Sequence, residues 1–252
     1  MSKIIIDINA DVGESYGDLK RGDERIFPYI SSCNIACGFH AGDPLTIERT
    51  IDLAMESKLQ IGAHPSYPDL EGFGRRSMEF SESGVIALVK YQLAALKGMV
   101  ESAGGTLQHV KPHGALYNDA CQSAQKAVAV VRAIYAIDRN LILLALPGSE
   151  LERAADRGGI RFVAESFADR SYERALKLVP RSAQNAVIEG DDLMEQFENI
   201  VVNRQVLTSL EGMQYMKTNS ICFHSDHPNC FHDLQRVRKH FGNKIIVRAF
   251  AK

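Results

Sequence analysis

No apolar run in the 252 residues is long enough to cross a bilayer: the longest, Leu141–Leu146, falls far short of the roughly 20 residues a membrane helix needs. Neither charge sign is in surplus. Lys and Arg number 29 against 31 Asp and Glu, a formal net charge of −2, so the electrostatic footprint of a nucleic-acid binder is missing. Cysteine is sparse and odd in number, five in all. Cys33-x3-Cys37 with His40 reads as half a zinc site. Cys222 and Cys230 lie too far apart to supply the other half, and small buried thiols are the expectation. The first apolar run, Ile4–Ile6, stops at Asp7, too short for the core of a signal peptide, which leads us to expect a cytoplasmic chain with reduced thiols. Nucleotide fingerprints are lacking, with no GxGxxG after the first apolar run and no GxxxxGK(S/T) anywhere. No Pro/Gly/Ser-rich linker, charge block, low-complexity tract or solenoid repeat divides the chain, so residues 1–252 read as one domain.

What the sequence does have is alternation. Short apolar runs that read as strands occur at Lys3–Ile8, Cys33–Cys37, Gln60–His64, Leu107–Lys111, Leu141–Leu146, Ile160–Glu165, Ser220–His224 and Lys244–Ala249. Between them lie helical patterns at Pro44–Lys58, Ser83–Ala103, Ala120–Ile137, Ser149–Arg157, Asp191–Asn203 and Phe231–Phe241. Asp43 is a natural N-cap for the first of these, with Pro44 at the first helical position. About eight strands alternating with helices predict a parallel TIM-barrel-like (β/α) barrel, with a doubly wound sheet as the alternative.

The polar residues collect where the strands end. Asp7, Asn9 and Asp11 alternate onto one side of the first run, and Glu14 follows. Asn34 leads to His40, the third run ends at His64, and the fourth at Lys111 and His113. The sixth ends at Glu165 before Asp169 and Arg170, and the seventh at His224 and Asp226. In a barrel all of these share the face that carries chemistry. A single Asp or His at a strand end is ordinarily a cap or a hydrogen-bonded structural group. Four of the eight histidines at such ends argue for a shared site. His109, His227, His232 and His240 read as structural or surface residues. Gly38, Gly42, Gly62, Gly72, Gly74 and Gly114 suggest backbone packed close to a ligand, or tight turns. Pro65–Phe80, with Tyr67, Asp69, Arg75 and Arg76, reads as a lid or a solvated loop.

The segments DINADVGE (7–14), NIACGFHAGD (34–43), GAHPSYPD (62–69), VKPHGALYN (110–118), FADRSY (167–172) and LVPRS (178–182) resemble the family of 5-oxoprolinase A subunits, also called the LamB/YcsF or lactam-utilisation family. The resemblance spans the chain. One departure is Ser225 in Cys222-Phe223-His224-Ser225-Asp226, where the family usually has glycine. The resemblance implies a barrel of the glycoside hydrolase/deacetylase type, distorted or seven-stranded forms included. It implies cleavage of 5-oxo-L-proline to L-glutamate coupled to ATP hydrolysis, together with the 5-oxoprolinase subunits B and C as partners. ATP with Mg2+ would be held mainly by those partners, in keeping with the missing P-loop.

An unstrained five-membered lactam is a poor electrophile, so its cleavage at neutral pH calls for activation, and phosphorylation of the amide oxygen would supply it. The hydrolytic subunit then needs a general base, for which Asp11 or His64 qualifies. Donors facing developing negative charge would be Lys111 and His113, and Arg170 or Arg181 could grip the substrate carboxylate. Asp7, Asn9, Asn34, His40, Asn118, Glu165, Asp169, His224 and Asp226 complete the expected binding set. No resident metal is expected; a metal-dependent deacetylase or amidohydrolase, the competing enzyme class, would draw ligands from Asp7, Asp11, His40, His64 and His113. A non-catalytic chain that only binds 5-oxoproline is the third reading.

Overall fold

The computed structural model describes residues 3–181 and 183–250; Met1, Ser2, Ser182 of the LVPRS segment, Ala251 and Lys252 lie outside the described residues. Strand β1 (Ile4–Val12) shows how the barrel is built. Ile6, Ile8, Ala10 and Val12 alternate with Asp7, Asn9 and Asp11, and all seven are buried. Period-two alternation sends the apolar set outward into the main apolar core and the polar set into the barrel lumen.

The ring continues through β2 (Ser32–Ala36), β3 (Gln60–His64), β4 (Leu107–Val110), β5 (Ile142–Ala145) and β6 (Phe162–Phe167). A hairpin, β7 (Gln205–Thr208) and β8 (Gly212–Tyr215), stands outside it. The seventh ring strand, β9 (Ser220–His224), pairs with β6 on one side and β1 on the other, so the parallel sheet closes and the doubly wound alternative is excluded. The closed ring therefore has seven strands. The eighth run appears as β10 (Ile245–Val247), paired only with Ile4–Ile6 of β1. Closure between β1 and β9 uses Asp7–Asp11, which leaves the first residues of the long β1 for β10.

Helices α1 (Pro44–Glu56), α2 (Glu82–Ser102), α3 (Gly114–Gln122), α4 (Ala124–Ile137), α5 (Glu150–Gly158), α6 (Gly190–Glu198) and α7 (Cys230–Phe241) follow the strands. Asp43 caps α1 by accepting from the Leu45 and Thr46 amides, as its sequence position suggests. The predicted helix 120–137 is instead two helices. Ser123 is extended and caps α4, and α3 begins directly after His113. Helix α2 is the one described helix long and apolar enough to cross a membrane, but its apolar side, with Val85, Val89, Leu93, Leu96 and Val100, is buried in the core. At the amino ends of the strands Phe250 packs with Ile142, Leu144 and Val163 and closes the lumen.

Candidate active site

TIM-type lumens are usually filled by branched apolar side chains. Here the lumen is a polar column. At its base Asp7 accepts from the hydroxyls of Ser31 (2.7 Å), Ser32 (2.9 Å) and Ser220. Burial lifts its carboxyl to about 6 against those hydrogen bonds. Above it the Asn9 amide donates to Glu165 (3.1 Å) and Ser220 (2.8 Å), and the Asn34 amide donates to Asn9 and Asp11 (2.8 Å each). Asn34 Oδ1 accepts from His109 Nε2 at 2.8 Å. A Cβ on Gly62 would lie 2.0 Å from that imidazole, so this glycine makes room for His109 rather than for a ligand.

Lys111 tops the column. Its Nζ lies 2.9 Å from Asp11, 2.8 Å from Glu165 and 3.0 Å from the Cys222 sulfur. Burial works against its charge, but Asp11, Cys222 and Glu165 override that and hold the ammonium well above its ordinary range. Burial likewise pushes against the Asp11 carboxylate, and His64 and Lys111 pull it well below the usual range. Glu165 is raised by burial despite Lys111, and it accepts from the Tyr117 hydroxyl at 3.0 Å.

A cavity of about 470 Å3 opens above Lys111 at the carboxyl ends of the strands. Asp11, His64, Lys111, His113, Asn118, Arg170, Arg181, His224 and Asp226 all line it, so the strand-end residues do converge. Asp7, Asn9, Asn34 and Glu165 do not line it. Asp7 lies instead beside the Phe250 end, four residues down β1 from Asp11, which separates it from the histidines as a substrate contact or metal ligand. Asp169 sits behind His224, holding its Nδ1 at 2.9 Å with both carboxylate oxygens and accepting from its main-chain amide. Arg170 spends donors on the carbonyls of Ala186 (3.0 Å) and Val179 (2.6 Å), which pins the loop carrying Arg181. Arg181 is the freer cation, 3.5 Å from Asp226, which also takes Arg75 at 2.6 Å.

Beside Asp11 stands a second polar cluster of Glu14, His40, His64 and His113. Glu14 is 3% exposed, and burial next to Asp11 raises its carboxyl to about 7. His40 stacks on His113 with ring centres 3.7 Å apart and planes 2° apart, and its Nε2 lies 3.2 Å from Glu14. Burial drives both imidazoles well below their ordinary value. These four are the residues best placed to hold a cation. The other such group, Asp11, Cys222 and His224, already receives the Lys111 ammonium. The half zinc site of Cys33 and Cys37 does not form. Both are buried free thiols raised by burial, Cys37 to about 12.

The 65–80 segment forms a wall of this cluster. Tyr67, Asp69 and Phe73 are buried, and the Phe73 carbonyl accepts from His113 Nε2 at 2.8 Å. Gly74 has φ +64, and a Cβ there would come within 2.7 Å of His113 and 2.9 Å of His40, so only glycine fits. Arg75, Tyr117 and Cys222 join the site although nothing local in the sequence distinguishes them, and Glu14, placed by its sequence position on the same face, gains its role only from the histidines that the fold brings to it. Ser225 tolerates its departure from glycine because its φ is not in the left-handed region and its hydroxyl donates to the Asp11 carbonyl.

Residues 6–251 match the sequence profile of the LamB/YcsF family. The chain belongs to that family. It is 43% identical to the 5-oxoprolinase A subunit of Geobacillus thermodenitrificans (strain NG80-2), over 98% of this chain and 97% of that protein. It is 44% identical to the 5-oxoprolinase A subunit of Azoarcus sp. (strain BH72), over 95% and 94% of the two chains. The lactam utilization protein from Thermus thermophilus superposes with a TM-score of 0.90 at 38% identity, covering 98% of this chain and 100% of that one. The (β/α) barrel is thus the LamB/YcsF fold, and its polar column and cavity belong to a hydrolase-related family.

Proposed function

We propose that this chain is the lactam-opening A subunit of an ATP-dependent 5-oxoprolinase, working with partner subunits B and C in the cytoplasm. The observation that carries the reading is full-length similarity to proteins named as 5-oxoprolinase A subunits, joined to a cavity of about 470 Å3, ample for a five-membered ring acid. ATP and Mg2+ belong to the partners, and phosphorylation of the lactam oxygen makes the ring carbon electrophilic. Water then adds to that carbon, and the C–N bond opens to give the acyl phosphate of glutamate. A second water releases phosphate and glutamate.

Asp11 is the base in this scheme. Lys111 and Asn34 hold its Oδ1, while Oδ2 faces His64 Nε2 at 3.4 Å on the cavity wall. Its depressed basicity suffices because the phosphorylated ring is already a strong electrophile. The substrate carboxylate pairs with Arg181 and Arg75, and displaces Asp226 from them. His224, fixed by Asp169, faces the ring.

The decisive experiment mixes the purified chain with subunits B and C and follows glutamate release from 5-oxoproline with and without ATP. Release only from the full mixture with ATP supports the reading, and Asp11→Asn should then abolish turnover while retaining substrate binding. The Glu14–His64–His113 cluster favours one second reading, a stand-alone metal-dependent amidohydrolase. Release by this chain alone, without ATP and lost on chelation, would establish that instead.

A further inference from the structure

His64 and His113 meet nitrogen to nitrogen. His64 Nδ1 lies 2.7 Å from the Lys111 carbonyl, and His113 Nε2 lies 2.8 Å from the Phe73 carbonyl. A carbonyl can only accept, so each of these nitrogens carries a hydrogen. With both rings neutral, the remaining nitrogens, His64 Nε2 and His113 Nδ1, hold the lone pairs, and they face each other at 3.0 Å. Two lone pairs at that distance repel unless a cation lies between them. Glu14 Oε1 adds a third donor, 3.5 Å from His113 Nδ1 and 3.9 Å from His64 Nε2. Donors around a tetrahedral ion bound at about 2.0–2.1 Å stand roughly 3.3 Å apart, close to this spacing.

We propose that Glu14, His64 and His113 bind one divalent transition-metal cation of the zinc class at the wall of the cavity, with a coordination position left open to it. The donor set, two imidazoles and a carboxylate, is the type that suits zinc and leaves its fourth position for water or substrate. All three ligands line the cavity, whereas His40 does not. His40 is parallel to His113, so their in-plane lone pairs never converge on one point; its contact with Glu14 makes it a positioning residue. The Phe73 and Lys111 carbonyls play the corresponding part for the two ligand imidazoles, fixing ring and tautomer from behind. The Lys111 charge does not oppose the ion, because Asp11 and Glu165 already pair with it. Glu14 is left as a further buried carboxylate with no Lys or Arg within ion-pair distance among the described residues. This cation site does not depend on ATP coupling; it deepens the metal-dependent reading given above, and zinc uptake without chelator-sensitive turnover would sink that reading while leaving the site in place.

The test strips the purified full chain with dipicolinate and titrates it with ZnCl2 by calorimetry, with metal content read by mass spectrometry after desalting. One ion per chain is expected, and zinc K-edge absorption of the wild type should show two imidazole nitrogens and a carboxylate oxygen. His64→Ala, His113→Ala and Glu14→Gln, each checked for an intact fold by circular dichroism, should weaken binding by about 100-fold or more, and His40→Ala by about 10-fold. His232→Ala should leave the isotherm unchanged. A folded wild type that takes up no zinc at micromolar concentration overturns the proposal and makes the pair a shared-proton contact; so does a site that survives the His64 and His113 substitutions.

Discussion

Lys111 Nζ lies 2.8 Å from Glu165 Oε1 although Lys111 follows β4, Glu165 lies in β6, and β5 stands between those strands. The contact crosses the lumen, and a second contact from the same ammonium reaches Asp11 of β1. One lysine thus ties three parts of the ring together from inside. Replacing it with methionine keeps the length of the side chain and removes the charge, which leaves two carboxylates buried without a counter-ion. Breaking a buried pair in this way costs about 3–5 kcal/mol. Lys111→Met should therefore lower the urea midpoint sharply, and a loss under about 1 kcal/mol would contradict a bolting role for this lysine.

Asp7 sets a pH dependence at the other end of the lumen. Its folded pKa of about 6 lies above the ordinary 3.8, so the native state binds its proton more tightly than the unfolded chain does. The associated stability is complete below pH about 4 and is lost as pH rises through about 6. The difference between the two values corresponds to about 3 kcal/mol. Urea titrations of wild type and Asp7→Asn between pH 4 and 7 should differ in slope over that window, since the serine hydroxyls can turn to serve either residue. Parallel curves would refute this.

Two glycines should respond in opposite directions to the same change. At Gly62 a methyl would collide with His109, and the strand backbone gives it nowhere to move, so Gly62→Ala should cost about 3 kcal/mol or more. Gly98 sits inside α2, and a Cβ placed on it would meet nothing within 4 Å, so Gly98→Ala should stabilise by about 0.5–1 kcal/mol. Thermal melts of the two variants decide the matter.

The arginine clamp predicts a kinetic signature. Arg181→Ala and Arg75→Ala should each raise KM for 5-oxoproline about 10-fold in the assembled enzyme and leave kcat within about 3-fold, as expected when uniform binding is removed. Arg170→Ala should instead destabilise the 170–187 loop, because its donors hold main-chain carbonyls. A kcat effect without a KM effect at Arg181 would remove it from carboxylate recognition.

Much of the barrel could be read from period and punctuation. The runs at Gln60–His64 and Ser220–His224 coincide with β3 and β9, and Asp43-Pro44 marks the start of α1, because alternation, capping and proline geometry are local properties. The β7–β8 hairpin and the break at Ser123 were not legible. The hairpin's exposed Leu207, Met213 and Tyr215 imitate no buried pattern, and the two helices flanking Ser123 share one continuous apolar stripe.

Local pattern alone settled the order of the seven ring strands and most of their helices, the family, and the set of polar residues that would gather along and beyond those strands. Which of them meet was decided by closure of the ring. Asp7 and Asp11 lie on the same face of one strand, yet one is buried among serines at the base and the other forms the cavity wall, because the lumen is deeper than a single side chain. His64 and His113 are far apart along the chain and have no local reason to touch. Only the β3–β4 pairing and two main-chain carbonyls aim their free nitrogens at one another.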